Sequence, residues 1–196
     1  SKLVSVCQVS EGNKQLVTTS NTAFDELGAQ SMLGMVKSIP KLARIIKKEQ
    51  PKVIFAWMYH AHVITVLAAK LAGYNGPVLW CVRHSLDDFR QESKSTKVAL
   101  VLCRILSRFS SGIIYCSQRA MIQHQKFGLK EEHNHFLANG YQIPVLHERK
   151  LLAVKKIGIA GRYHPAKNYP CFLGAAKLVI EKHKDVVFYL CGRGVS

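Results

Sequence analysis

Arg162 and Lys167 stand five residues apart in KKIGIAGRYHPAK (residues 155–167), where an apolar run delivers a glycine and two cations into a loop. Ile157, Gly158, Ile159 and Ala160 read as a short buried strand that Gly161 ends. Asn168 is positioned to cap a helix continuing through Tyr169, Pro170 and Lys177. Open α/β sheets bind ligands in loops at the carboxyl ends of their parallel strands. There Arg162 would offer phosphate oxygens a planar fork of donors, Lys167 a mobile point charge, and the helix start further N–H groups. A solvated basic turn fits the local sequence equally well.

A second group of polar residues follows the strand VLWCV (Val78 to Val82), which runs out into Arg83, His84 and Ser85. Taken alone, His84 fits a loop or capping histidine as readily as a catalytic one. WMYHAHV, Trp57 to Val63, brings Tyr59 and His60 to another strand end. A zinc pair of His60 and His62 is not expected, because an i, i+2 spacing turns the two rings apart on a helix and no third ligand is evident. Ser85, His84, Asp87 and Asp88 cluster in sequence, but adjacent residues seldom form a nucleophile triad and no G-x-S-x-G elbow is present. Gly192-Arg193-Gly194 is a weak candidate for a phosphate loop.

The elements that must position these residues read as alternating strands and helices. Lys2 to Val9 is a strand, Glu11 to Asn13 a turn, and the stretch to about Gln30 has no clear pattern. A helix from Met32 to Gln50 places Pro40 near its amino-terminal turn and a basic face opposite Leu42, Ile45 and Ile46, so contact with a membrane surface stays open. Strands at Val53 to Trp57, Val78 to Val82, Gly112 to Cys116 and His135 to Asn139 alternate with helices at Ala61 to Leu71, Thr96 to Phe109 and Ser117 to Phe127. Such alternation argues a parallel sheet. The polar segment from Tyr141 to Val154, with Pro144, reads as a linker. Beyond it come a strand from Lys156 to Ala160, a helix from Tyr169 to His183 and a strand from Val186 to Cys191.

Of 196 residues, 48% are hydrophobic, enough for a folded core, and a net charge of +16 favours acidic partners. The basic residues are scattered, and no helix-turn-helix, zinc finger or aromatic RNA-binding signature accompanies them. The six cysteines form no C-x-x-C pair and read as buried free thiols in a reducing cytoplasm. Neither a membrane span nor a signal peptide is expected.

AGRYHPAKN, the amphipathic segment after it and VVFYLCGRG together resemble the opening of the second domain of a family 4 glycosyltransferase. That resemblance implies an α/β chain of GT-B type, with two Rossmann-like domains on parallel sheets and retention at the sugar carbon. Residues 1–145 would be the acceptor domain, 146–154 a linker, and 155–196 the start of a truncated donor domain. Arg162 and Lys167, with Gly161, would hold the diphosphate of a nucleotide-sugar. His84, matching within WCVRHS, would lie beside the sugar, and Tyr59, His60 and Arg83 would be acceptor-side residues. Asn139-Gly140 matches the N-G that closes the first domain, although Tyr141 and Gln142 replace the acidic residue usual after it.

The family's opening strand and glycine-rich loop, and its later glutamate pair and final helix, have no counterpart here. Either a fragment with unpaired strand edges or a rearranged strand pairing is therefore expected, and the chain by itself is expected to be inactive. The resemblance implies no metal or cofactor, only the donor substrate and a hydroxyl acceptor, lipid-linked acceptors included. From the scattered charge and the thiols, no nucleic-acid partner and a cytoplasmic location are expected, with peripheral contact at the inner face of the membrane left open. A non-catalytic basic binding domain and a GT-B sugar-nucleotide epimerase remain as alternatives.

Overall fold

Short apolar runs separated by helices pair in parallel, because each crossover returns the chain to the same edge of the sheet. All the strand pairings in the computed structural model, which describes residues 1–10, 14, 15, 17, 19, 20, 22–141 and 155–194, are of this kind. The chain divides into two compact units, Ser1–Tyr141 and Gln142–Ser196. The expected linker 146–154 and the turn at Glu11 to Asn13 lie outside the described residues.

In the first unit β1 (Lys2–Cys7) pairs with β2 (Ala23–Ala29), while β3 (Ile54–Trp57), β4 (Val78–Val82), β5 (Gly112–Tyr115) and β6 (Asn134–Phe136) form a second sheet in that order. Among the described residues β3 pairs only with β4, so its other edge has no strand partner. The helices are α1 (Met32–Glu49), α2 (Tyr59–Leu71), α3 (Lys94–Leu106) and α4 (Gln118–Phe127). Most of α2 is buried, and it packs on α1, α3, β3 and β4. Trp80, Leu100, Ile113 and Tyr115 are fully enclosed around it.

Several local expectations change. β2 lies in the stretch that showed no pattern: AFDELGA sets Asp25 beside Glu26, which breaks strand alternation. Pairing with β1 and the Lys2–Asp25 ion pair at 2.7 Å hold it instead. α1 begins at Met32 as expected, with Ser31 capping it by accepting the Gly34 N–H at 3.1 Å. Pro40 therefore sits inside an 18-residue helix, where it has no N–H to donate, and burial of Leu42, Ala43 and Ile46 keeps that segment in place. Ser93 caps α3 two residues earlier than expected, and a 3-10 turn (Ser107–Phe109) closes it. β6 ends at Phe136, leaving Asn139 in the loop beyond.

In the second unit β7 (Lys155–Ala160) and β8 (Val186–Cys191) pair through the crossover helix α5 (Tyr169–Lys182). Tyr169 and Ala176 are its buried hydrophobic residues. Cys81 and Cys103 are buried as expected, but Cys7, Cys171 and Cys191 are exposed, each at the margin of a strand or helix with little packed over it. Among the described residues no helix is long and apolar enough to cross a membrane.

Leu100 is 0% and its neighbour Val101 46% exposed, although both are apolar residues of α3. Leu100→Ala should therefore lower unfolding free energy by about 2–5 kcal/mol, and Val101→Ala by no more than about 0.5 kcal/mol, in urea titrations of the two variants.

Candidate functional site

Parallel register brings the ends of β4, β5 and β6 to one edge, with Val82 beside Tyr115 and Tyr115 beside Phe136. Arg83 leaves that edge from β4 and the segment 137–141 leaves it from β6. One arm of the Arg83 guanidinium donates to Asn139 Oδ1. These residues line a concavity of about 580 Å³ with Leu137, Ala138, Gly140 and Tyr141.

His84 follows on a loop that α4 braces. Gln123 accepts the Leu86 N–H at 3.0 Å and donates to Asp87 at 2.8 Å, and Arg119 pairs with the same carboxylate. Asp88 accepts the Arg90 N–H at 2.9 Å. Hydrogen bonds from Gln123 and then Arg119 hold Asp87 below the usual carboxylate range, and the Arg90 N–H does most of the same for Asp88. Both acids are thus engaged in shaping the loop. The His84 ring, half-exposed, has Nε2 2.9 Å from Glu92 Oε1.

Tyr59 lies beneath His84, the two rings edge to face at 6.4 Å. As an acceptor-contacting residue it is displaced by the structure: it is 3% exposed, and its hydroxyl donates inward to His124 Nε2 at 2.7 Å. The His124 Nδ1–H donates to the Ala120 carbonyl at 2.7 Å, which sets the tautomer that receives Tyr59. Burial raises the Tyr59 hydroxyl pKa and lowers that of His124, so both groups stay neutral. His124 carried no sequence signal, since its partner is 65 residues away. His60 keeps Nε2 enclosed without a hydrogen-bond partner. His62 faces the core, stacked on Trp80 at 4.8 Å, and donates from Nε2 to the Cys81 carbonyl at 3.3 Å. Among the described residues no three His, Cys, Asp or Glu side chains gather as a metal site.

In the second unit, considered by itself, the loops after β7 and β8 lie back to back. Gly161 N–H donates to the Cys191 carbonyl at 2.8 Å and Tyr163 N–H to that of Arg193 at 2.9 Å. Gly192 is obligatory at this contact, because its φ is 147° and a Cβ would stand 1.9 Å from the Gly161 oxygen. The Lys167 stem runs past Gly161, where an added Cβ would meet its Cε at 3.5 Å. Arg162 and Lys167 are both exposed, and no acidic side chain pairs with either among the described residues. The loop thus gathers Gly161, Arg162 and Lys167 on unneutralised positive charge.

The helix start contributes less than its sequence suggested. Asn168 is left-handed (φ 48°, ψ 48°) and its side chain caps nothing, whereas a capping side chain normally needs extended backbone. Pro170 has no N–H, and the N–H groups of Cys171 and Phe172 both go to the Asn168 carbonyl. His164 instead caps the short turn that carries Lys167, accepting the Ala166 N–H at 3.2 Å.

The model of glycosyltransferase family 4 matches residues 16–143. The chain belongs to glycosyltransferase family 4. An Escherichia coli relative, UDP-Gal:alpha-D-GlcNAc-diphosphoundecaprenol alpha-1,3-galactosyltransferase, is 26% identical over 186 residues, covering 84% of this chain and 46% of its own length. The crystal structure of Anabaena Alr3699/HepE with UDP and glucose superposes with a TM-score of 0.72 at 18% identity, over 93% of this chain and 51% of that one. The apo lipopolysaccharide outer core galactosyltransferase WaaB gives 0.67 at 14% identity, over 97% and 58%. UDP-N-acetylglucosamine 2-epimerase from Rickettsia bellii gives 0.54 at 14%, over 96% and 54%. The chain spans about half the length of the relatives it matches. The fold is accordingly of GT-B type, and this family 4 chain is α/β with parallel sheets throughout its described residues.

Burial pushes the His62 imidazole down to about 3. Below about pH 6.5 the unfolded chain takes up a proton that the folded chain refuses until about pH 3, so this residue costs stability as pH falls through that window. From pH 7 to pH 5 the loss should be about 2 kcal/mol. Urea unfolding at both values should show it, with a smaller drop in His62→Gln.

Proposed function

We propose that this family 4 chain is part of a hexosyltransferase that moves a sugar, with retention, from a nucleoside-diphosphate donor to a hydroxyl acceptor. The observation that carries the reading is the pair of unneutralised cations around Gly161. Breaking the bond between the sugar carbon and the diphosphate oxygen puts negative charge on the leaving group. Arg162, as a fork, and Lys167, as a point charge, are suited to stabilise that charge as it develops. With two cations in this role, the scheme requires no metal and no cofactor.

In the same reading His84, steadied by Glu92, hydrogen-bonds near the anomeric carbon, and Arg83 and His60 belong to the acceptor side. Tyr59 supports His84 from below through ring contact. The first unit would then be the acceptor domain and the second the start of the donor domain. UDP and glucose in the Anabaena structure, and the UDP-galactose and diphosphoundecaprenol in the E. coli relative's name, make a UDP-hexose and a lipid-linked hydroxyl the first substrates to try. Such an acceptor belongs to surface polysaccharide or glycolipid synthesis and implies work in the cytoplasm at the inner face of a membrane. The epimerase alternative has weaker support, its structural similarity being lower than that of the transferases.

Calorimetric titration with UDP and GDP, on the chain and on Arg162→Ala, tests the donor loop. Loss of a charged hydrogen bond to phosphate should weaken diphosphate binding by about 1.5–3 kcal/mol, or roughly tenfold and more. An undiminished affinity in the folded variant would place the diphosphate elsewhere and remove the main support for the reading.

A further inference from the structure

Helix α3 has two apolar faces. Ala99, Leu100 and Cys103 pack inward, while Val98, Val101, Leu102 and Ile105 are 38–50% exposed. The second set follows i, i+3, i+4 and i+7, which places it on one stripe opposite the first. Phe109 extends the stripe beyond the helix end, with the Lys70 ammonium 3.0 Å from its ring centre and the Arg108 guanidinium at 5.1 Å. The outer face of a globular protein's helix is ordinarily polar, and a continuous apolar stripe there marks an interaction surface.

The charge beside the stripe says what kind. Lys97, Arg104 and Arg108 follow one flank at i, i+7 and i+11, and from Ser93 to Lys130 the sequence contains no Asp or Glu. A concavity of about 440 Å³ opens next to Ile105, lined by Arg104, Ser107, Arg108, Gly128 and Lys130. Gly128 lets the Arg104 side chain lie close against it, since a Cβ there would stand 2.7 Å from Arg104 Nε. Lys130 Nζ donates to the Ser110 carbonyl at 2.6 Å, which anchors its ammonium at the wall. Glu132 is the acid whose charge acts on that lysine.

We propose that the outer face of α3 docks on an anionic lipid surface, with the Val98 to Ile105 stripe entering the acyl boundary and a lipid phosphate seated among Arg104, Arg108 and Lys130. A cationic flank beside an apolar stripe matches the layered chemistry of such a surface. A second copy meeting this face across a two-fold axis would set cations against cations. Helix α1, whose basic face raised the idea of membrane contact, fits less well. Its exposed large apolar residues are Met32, Leu33 and Val36, all near its start, while Lys37, Lys41, Lys47 and Lys48 carry charge alone. The proposal stands independently of the donor loop.

The test is co-sedimentation of the full chain with vesicles of phosphatidylcholine, alone and mixed with phosphatidylglycerol. The chain should pellet with the mixed vesicles and bind the neutral ones at least about tenfold less. Val101→Asp/Ile105→Asp and, separately, Arg104→Gln/Arg108→Gln should each weaken binding to the mixed vesicles about tenfold or more. All four positions are exposed, and circular dichroism checks that both variants fold. Absence of binding, equal binding to both vesicle types, or full binding by either folded variant overturns the proposal. So does calorimetric binding of inorganic phosphate without vesicle binding, which would make the concavity a site for soluble anions. Conversion of a dimer to a monomer by Val101→Asp/Ile105→Asp, without vesicle binding, would assign the stripe to self-association and overturn it equally.

Discussion

Helix α2 is apolar on nearly every side, and such a helix is stable only when all its sides are covered. That requirement organises the first unit: β3 and β4 lie on it, and α1 and α3 pack against it. Its first turn then has a fixed place at the carboxyl edge of the sheet. Tyr59 begins that turn and gives its hydroxyl to His124 on α4, so one buried hydrogen bond ties α2 to the helix that also braces the loop of His84. The residues proposed to meet substrate are therefore carried by a loop whose footing is core packing.

Electrostatics divides the molecule differently. The chain has 28 Lys and Arg against 12 Asp and Glu. Among the described residues Asp25, Glu26, Glu49, Asp87, Asp88 and Asp185 are engaged in ion pairs, and Glu92 in a hydrogen bond with His84, that shape loops or join elements. Arg162 and Lys167 remain without an acidic partner among the described residues, as an anion site requires, because a neutralised cation has little attraction left for phosphate. The flank of α3 follows the same logic, with an apolar stripe added. Excess charge alone would have suited a nucleic acid. Its arrangement in a glycine-bearing loop and along one helix suits the phosphates of the donor and the lipid surface proposed above.

The residues themselves reveal much of this. Alternating apolar runs and helices dictate parallel strands, and the glycine followed by Arg162 and Lys167 at a strand end marks a cationic loop, which fits a phosphate site and a solvated basic turn equally well. These signals are local, since strand propensity, glycine and the spacing of cations need no distant partner. β2 was illegible because its two adjacent acids mask alternation, and only pairing with β1 makes it a strand. Asn168 shows the opposite failure. Its type suits a cap, but the chain path between the Lys167 turn and Pro170 forces it left-handed and turns its side chain away.

What the sequence determined by itself, then, is the class of fold, the family resemblance and the cationic loop, because periodicity and short motifs are written along the chain. Tertiary structure alone decided that Tyr59 and His62 face inward while His84 faces out, that His124 completes the support beneath it, and that one apolar side of α3 is left uncovered. The physical reason is burial. Whether an apolar or titratable side chain is core or surface depends on which elements pack over it, and those elements come from far along the chain.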